Sequence, residues 1–453
     1  MSTLQAVLDD AVRAGDVPFA VAMVGNKDGI KWSGAAGERS PGQAATTDTV
    51  FRIFSMTKAV GSTAAMILID RGKLNADTAV QDILPEFAKI QVLERFDGDK
   101  PVLRAPKRKA TVRQLATHTS GLEYEFWNAD VGKYLTVTGN PPILSGLKAA
   151  LFYPMMTDPG TRWGYGIGID WLGQVVEKID GRRIDRFCRE DIFAPLGMPD
   201  TDFEVSAAMK PRLAAIAARG EDGKLVPFDI APPSHPEVYG MGHSLYSTAP
   251  DYMRFLRMFL NRGALDGKRL LKEASVDWML ADRMQGLTFQ KMVTAIPPVT
   301  ADCDPFPGTK RTHSFGFFRV EEDIPGMRSA GAQAWAGVLN THFWFDPKKD
   351  VAATIMTQTL PFVEPRFADT YGKFERAVYA APLTKAADRI AGQACSPDGA
   401  KRHPGQPTCE ARLIPGFASL TRATSWTTGA FSPPSLAVAR SLDCHAPRKC
   451  GIQ

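Results

Sequence analysis

A continuous apolar segment near the start of the chain most constrains its fold. Residues 59–69 contain no charged side chain, and the segment closes at Arg71-Gly72. A helix that is apolar on every face must be buried inside a larger structure, and a glycine is a typical helix stop. We therefore predict a buried helix that begins near residue 55 and lies in the core of a globular protein.

A serine and a lysine stand at the beginning of this predicted helix. Ser55 and Lys58 are three positions apart, so they share one helix face. A lysine there can accept the serine proton and activate the hydroxyl, and the free N–H groups of a helix N-terminus stabilise negative charge. The same spacing recurs at Ser145 and Lys148, where Gly146 follows and no apolar helix does. An ordinary N-cap serine is the alternative interpretation of Ser55.

A tyrosine between two glycines is the second candidate. Gly164-Tyr165-Gly166 precedes a helical period, and the glycines predict exposed backbone with room around the phenol. The ordinary pKa of a phenol is near ~10. We expect the Lys58 ammonium to lower the pKa of Tyr165, so that the two groups share one proton. A core tyrosine in a turn is the alternative.

A strand rich in small residues is the third candidate. Residues 331–339 alternate small and apolar side chains, and a strand glycine such as Gly337 marks close approach by another backbone or a ligand. An acyl-transfer enzyme needs two backbone N–H groups directed at the developing oxyanion. We predict that Ser55 and Val338 supply these N–H groups.

These motifs resemble those of the serine β-lactamase and penicillin-binding-protein superfamily, and within it the bacterial family VIII carboxylesterases. The resemblance covers about residues 4–383 and includes the segments 115–122, 195–198, 247–251 and 341–347. It implies that Ser55 is the nucleophile and that Lys58 and Tyr165 are the acid/base pair. The substrate-binding residues that it implies are Trp163, Trp335, Ala336 and Gly337.

Two departures from the β-lactamase pattern bear on the substrate. β-Lactamases carry Lys-Thr-Gly where this chain has Trp335-Ala336-Gly337, and Ile167 stands at the position of their second-motif asparagine. Without that lysine, no cation pairs with a penicillin carboxylate. The resemblance therefore implies a hydrolase of short-chain or small aromatic carboxylic esters that needs no cofactor and no metal. A β-lactamase, amide hydrolase, peptidase or acyltransferase on the same scaffold is the alternative, and an inactive acyl-sensing module is the non-enzymatic one.

The hydrophobic periods predict an α/β (α+β) fold. Strands are expected near both ends and helices between them, so the economical arrangement is an antiparallel sheet built from about residues 1–72 and 290–383, flanked by helices. The mainly helical region is expected at about residues 73–289. The predicted helices are 4–13, 112–117, 169–179, 184–193, 249–262 and 365–380, and the predicted late strands are 315–320, 333–339, 341–346 and 351–358.

Charge and cysteine separate the chain into a body and a tail. Residues 382–453 carry nine Lys/Arg and four Asp/Glu, and the other residues balance at 45 of each sign. The body therefore indicates neither a nucleic-acid nor a membrane partner. Its two cysteines, Cys188 and Cys303, and the absence of a signal-peptide pattern favour a cytoplasmic location.

The tail, residues 384–453, contains scattered prolines and four cysteines without a lasting apolar period. We expect it to be a disordered or loosely attached extension that catalysis does not require. A small second domain is the alternative. The tail cysteines and histidines lack paired zinc-ligand spacing.

Overall fold

The computed structural model describes residues 3–381, and its centre is an antiparallel sheet of eight strands. The strands within these residues are β1 (Phe19–Asn26), β2 (Gly29–Ser40), β3 (Gln43–Ala44), β4 (Val50–Arg52), β5 (Val92–Asp97), β6 (Lys100–Arg104), β7 (Ile216–Arg219), β8 (Leu225–Phe228), β9 (Tyr246–Thr248), β10 (Ala264–Leu265), β11 (Lys268–Arg269), β12 (Arg311–His313), β13 (Phe318–Val320), β14 (Gln333–Gly337), β15 (Thr341–Asp346), β16 (Val351–Met356) and β17 (Thr359–Leu360). The order in the large sheet is β12-β13-β14-β15-β16-β1-β2-β3. Strand β16 pairs with β1, with Val21 opposite Met356, which confirms the prediction of a sheet built from both ends of the chain.

Helices cover both faces of this sheet and fill the middle of the chain. They are α1 (Leu4–Arg13), α2 (Thr57–Asp70), α3 (Val80–Ile83), α4 (Val112–Ala116), α5 (Ala129–Thr138), α6 (Gly168–Asp180), α7 (Ile184–Cys188), α8 (Ala194–Leu196), α9 (Ala249–Leu260), α10 (Glu273–Leu280) and α11 (Pro365–Ala380). Short 3-10 and π turns connect several of them, including a 3-10 turn at Phe54–Met56 and a π turn at Arg189–Phe193.

The aromatic residues of β15 show how the sheet is covered. Phe345 stacks against Phe259 of α9 at 5.3 Å between ring centroids, whereas Trp344 lies 6.1 Å from Phe374 of α11. Successive strand residues point to opposite faces, so α9 and α11 lie on opposite sides of the sheet. All six residues of β15 and of β16 are buried, as this double coverage requires.

Helix α2 is buried as its composition predicts. Each residue from Thr57 to Leu68 is shielded from solvent, and α2 packs against α6 in the helical region. The predicted helix began at Ser55, but α2 begins at Thr57 because residues 54–56 form the tighter 3-10 turn. Ser55 therefore lies on the approach to the helix instead of in its first turn.

Other element boundaries differ from prediction for local reasons. The strand predicted at 315–320 is only Phe318–Val320, because Gly316, at φ 105°, turns the chain tightly against Ser62. The separate strand Arg311–His313 was not predicted. The strand predicted at 333–339 ends at Gly337, where a turn leads to Asn340 at φ 60°. The middle of the chain also contains short strands, such as the β5–β6 hairpin, within its helical region.

The prediction for residues 384–453 lies outside the described residues. Within residues 3–381, no helix has both the length and the hydropathy needed to cross a membrane.

Candidate active site

The turn that carries Ser55 is held from three sides. Strand β4 leads into it and pairs with β9, and the hydroxyl of Thr57 accepts a hydrogen bond from the Leu245 N–H at 3.1 Å. From α9, the Tyr252 hydroxyl donates to the Met56 carbonyl at 2.9 Å. Phe54, directly before Ser55, has φ 39°. This left-handed backbone is costly for a non-glycine residue, and such strain is characteristic of functional sites.

Lys58 is buried and reaches back to Ser55. Its Nζ lies 3.1 Å from Ser55 Oγ, 3.0 Å from the Tyr124 hydroxyl and 2.8 Å from the Gly242 carbonyl oxygen. Burial lowers the pKa of Lys58 to about 7, and the charge of Asp170 opposes this change. A neutral amine has two donor hydrogens and one lone pair, whereas an ammonium has three donors. The three neighbours satisfy both forms, so Lys58 can take up and release a proton without losing its contacts.

The structure adds Tyr124 to the residues that contact Lys58. Tyr124 is only 3% exposed, and burial raises the pKa of its phenol well above the usual range. It therefore stays a neutral hydrogen-bond partner for the amine. Its position follows from backbone pairing, because the Tyr124 N–H donates to the Tyr165 carbonyl at 3.0 Å. Sequence reasoning missed Tyr124 because no motif around it carries a recognised spacing.

Tyr165 faces the same site but not in the way the sequence suggested. A Cβ at Gly164 would overlap Glu123, and one at Gly166 would overlap the Leu122 carbonyl. The flanking glycines therefore serve tight packing between two backbone segments, and the expectation of room around the tyrosine was wrong.

The expected protonation state of Tyr165 was also wrong. Burial raises the pKa of Tyr165 above its ordinary value, and hydrogen bonds with Ser55 and Trp335 offset only part of that rise. Lys58 lies 4.9 Å from the centre of the Tyr165 ring, but its own pKa falls to about 7. At neutral pH the amine, not the phenol, is therefore the group ready to accept the serine proton.

The two predicted oxyanion donors lie on neighbouring segments, because the end of β14 packs against the turn that carries Ser55. Gly337 ends β14 against the nucleophile turn, where a Cβ would overlap the Ile53 carbonyl. Among residues 3–381, neither the Ser55 N–H nor the Val338 N–H donates to another residue. Gly337 pairs with Thr341 at the end of β14, and Val338 begins the turn that follows. Val338 packs against the same apolar cluster as Phe54, the residue before Ser55, so this turn lies next to the turn that carries Ser55.

The predicted substrate-binding residues separate into two groups. Trp335 and Ala336 are partly exposed on β14, and the Trp335 indole N–H donates to the Tyr165 hydroxyl at 3.3 Å. Trp163 is only 3% exposed and packs against Phe289 with ring centroids 4.2 Å apart. Trp163 therefore supports the site from the core and offers almost no surface to a substrate.

Two buried histidines complete the wall behind Tyr165. The ring of His118 lies 4.9 Å from that of Tyr165 and 5.1 Å from that of His313. Burial lowers the pKa of both histidines, to about 4 for His313 and well below the usual value for His118. They are neutral packing groups at pH 7.

The segment 240–245 touches the site through its backbone. Gly242-His243-Ser244 matches only the start of the G-x-S-x-G nucleophile motif, because Tyr246 stands at its last position, and Ser244 is buried, at 3% exposure. The Gly242 carbonyl nevertheless accepts from Lys58, and the Gly242 N–H donates to Asp170 at 2.8 Å. Only the assembled fold brings these residues together.

The second Ser-x-x-Lys pair, Ser145 and Lys148, does not form a comparable site, because Lys148 Nζ lies 3.7 Å from Glu86.

Comparison with known proteins agrees with this geometry. The family model described as Beta-lactamase matches residues 4–377. The chain belongs to the β-lactamase family. Its relatives include the lovastatin esterase of Penicillium rubens, 30% identical over 399 residues, which cover 83% of this chain and 97% of that protein. The monacolin J acid methylbutanoyltransferase of Aspergillus terreus is 30% identical over 349 residues, or 74% of this chain and 82% of the relative.

Solved structures of similar proteins have the same fold. The unliganded simvastatin synthase of Aspergillus terreus superimposes with a TM-score of 0.71 at 28% identity, covering 83% of this chain and 97% of the synthase. The predicted resemblance to the serine β-lactamase superfamily and the predicted α+β fold are thus confirmed. The chain is a β-lactamase-fold enzyme of a superfamily that comprises serine hydrolases and acyltransferases.

Proposed function

We propose that this protein is a carboxylic-ester hydrolase of the family VIII type that acts through an acyl-serine on Ser55. The observation that carries the proposal is the contact of Ser55 Oγ with a buried Lys58 amine, 3.1 Å away, whose pKa is lowered to about 7. A base with a pKa near the working pH combines the right protonation state with useful basicity.

The acylation step follows from the protonation states. The neutral Lys58 amine takes the hydroxyl proton of Ser55, and the serine oxygen attacks the ester carbonyl carbon. The N–H groups of Ser55 and Val338 hold the oxyanion. As the carbon–oxygen bond of the ester breaks, the Tyr165 phenol donates its proton to the departing alkoxide, and the Lys58 ammonium restores the phenol. The products are an acyl-serine and a free alcohol.

Deacylation repeats these roles with water. Lys58 takes a proton from water, the hydroxide attacks the acyl carbon, and Lys58 returns the proton to the Ser55 oxygen as its bond to the acyl group breaks, which releases the free acid. An alcohol in place of water returns an ester, which is acyl transfer. Acyl transfer is tested alongside hydrolysis because the relatives include both an esterase and a methylbutanoyltransferase by name.

An apolar surface beside the nucleophile favours uncharged acyl or alcohol groups. A second apolar cluster, apart from the main core, contains Phe54 next to the nucleophile and Leu339 next to the oxyanion donor. Its partly buried members are Leu144, Ala218, Ile230, Val299 and Val338. The partly exposed indole of Trp335 and the partly buried members of this cluster offer apolar surface that suits small aliphatic or aromatic esters.

The test compares substrates and variants of the purified protein. We expect p-nitrophenyl butyrate to be hydrolysed with a kcat/KM far above that for benzylpenicillin, and Trp335→Lys to narrow this ratio by supplying a cation for the carboxylate. Ser55→Ala abolishes hydrolysis and fluorophosphonate labelling, whereas Ser145→Ala, the matched control in the second Ser-x-x-Lys pair, keeps both. Comparable kcat/KM values for the two substrates, or labelling retained in Ser55→Ala, contradict the proposal.

Adding an alcohol acceptor separates hydrolysis from transfer. A hydrolase forms mainly free acid even at high acceptor concentration, since water reaches the acyl-enzyme. If ester product dominates at millimolar acceptor, the enzyme is an acyltransferase on the same residues. A protein that is labelled on Ser55 without turning over any ester or thioester fits the inactive sensing module.

A further inference from the structure

Asp170 is a buried carboxylate to which the reaction steps above give no role. It lies on α6 with no exposed surface. Its Oδ1 accepts a hydrogen bond from the Gly242 N–H at 2.8 Å, and His243 Nδ1 lies 3.3 Å from the same oxygen. Burying a charge away from water is costly unless neighbours compensate for it. A charge at this depth therefore calls for an explanation.

Gly242 links Asp170 to the catalytic lysine. Its N–H donates to Asp170, and its carbonyl oxygen accepts from Lys58 Nζ at 2.8 Å. The turn has no space to shift, because a Cβ at Gly240 or Gly242 would meet the Asp170 carboxylate. Asp170 thus holds Gly242 in place, and the Gly242 carbonyl in turn holds Lys58.

The other titratable groups around Lys58 are neutral at pH 7. Burial raises the pKa values of Tyr124 and Tyr165 and lowers those of His118 and His313. Asp170 differs from these four groups. Burial opposes its charge, but His243, the charge of Lys58 and the Gly242 N–H outweigh burial and lower the pKa of Asp170. Among the described residues, Asp170 is the group whose charge counteracts the desolvation of Lys58.

We propose that Asp170 is a positioning residue of the acyl-transfer reaction, which holds Lys58 against Ser55 through Gly242 and supplies the buried negative charge behind it. The inference rests on the proposed function of Lys58 as the base. A merely structural Asp170, which only ties α6 to the segment 240–245, would affect stability without changing how Lys58 titrates.

The variant Asp170→Asn tests this directly. The amide has the size of the carboxylate and keeps an acceptor for the Gly242 N–H, so the variant removes mainly the charge. The pH dependence of fluorophosphonate labelling of Ser55 and of kcat/KM for p-nitrophenyl butyrate is measured in parallel. Loss of an anion beside an amine favours the neutral amine, so the midpoint moves to lower pH by roughly one unit. An unchanged midpoint in folded Asp170→Asn overturns the inference.

The matched control is Asp251→Asn. Asp251 is also buried, at 4% exposure, and accepts from the Asp200 N–H at 2.7 Å, but it lies on α9 and does not contact Lys58. Its variant keeps the wild-type midpoint. If the wild-type protein is not labelled on Ser55, the proposed function fails; if it is labelled and Asp170→Asn titrates as wild type, only the role of Asp170 fails.

If Asp170→Asn does not fold, as judged by its melting transition, a second pair of variants tests the positioning role of Asp170. His243→Leu removes the imidazole that faces Asp170, and we expect kcat to fall about tenfold, as for loss of a partner of a charged group. His243→Gln restores an N–H donor and recovers kcat to within about threefold of wild type. Wild-type kcat in His243→Leu contradicts the positioning role.

Discussion

Two buried basic side chains in different parts of the fold show how neighbouring groups determine whether a buried group keeps its charge. Lys58 and Arg328 are each 1% exposed. Arg328 donates to both oxygens of Glu375, at 2.7 and 2.8 Å, and although burial opposes its charge, Glu375 raises the pKa of the guanidinium. Lys58 contacts two hydroxyls and a carbonyl, and burial lowers its pKa to about 7. Direct contact with a carboxylate preserves a buried charge, whereas neutral partners make the amine a base.

The sharpest test of this contrast is Lys58→Ala. Removing the base should lower kcat by roughly a hundredfold to ten-thousandfold, with little change in melting temperature, because the buried Asp170 carboxylate keeps the Gly242 N–H and His243 as partners. Lys148→Ala, the matched change in the second Ser-x-x-Lys pair, keeps full activity. Full activity of Lys58→Ala in the ester assay would contradict the role of Lys58 as the base.

For the Arg328–Glu375 ion pair we expect the opposite result, a loss of stability without a loss of activity. Glu375→Gln leaves the Arg328 charge without its carboxylate and should cost roughly 3–5 kcal/mol of unfolding free energy. Chemical denaturation measures this loss, and kcat per folded molecule should stay at the wild-type value. A variant that is as stable as wild type but inactive would show that the pair serves catalysis instead.

Glu125 extends the comparison to a buried acid with a neutral partner. It is 8% exposed, it accepts from the Tyr153 hydroxyl at 3.2 Å, and burial raises its pKa to about 7. A carboxyl group whose folded pKa is raised contributes stability below its unfolded pKa and loses that contribution as the pH rises through about 7. Glu125→Gln should therefore stabilise the protein by roughly 3 kcal/mol at pH 8 and by almost nothing at about pH 4, below the unfolded pKa. Equal effects at both pH values would mean that Glu125 ionises as freely when folded as when unfolded.

Local sequence predicted much of the site. The three-residue spacing of Ser55 and Lys58 holds because the 3-10 turn runs directly into α2. The segment around Gly337 is the predicted strand, and Trp335 lies on it beside Tyr165. These features depend on neighbours within a few positions, which is the range over which periodicity and spacing are informative.

The other features of the site depend on contacts between segments that are distant in the sequence. Tyr124, Gly242 and Asp170 are far from Lys58 in sequence, and only the packing of α2, α6 and the loop before β9 brings them together. The prediction of the Tyr165 protonation state was wrong for the same reason. A nearby lysine favours the phenolate, but the burial of both groups outweighs that attraction, and burial is a property of the fold.

The pH dependence of Ser55 labelling in the wild-type protein tests the central claim most directly, because it needs neither the natural substrate nor a variant. If neutral Lys58 activates Ser55, the rate of fluorophosphonate labelling rises about tenfold per pH unit below the midpoint. It then levels off above pH of about 7, the pKa to which burial lowers Lys58. Peptide mapping places the label on Ser55. A rate that is constant from pH 5 to 9, or that rises only near the ordinary lysine value of 10.5, contradicts the account.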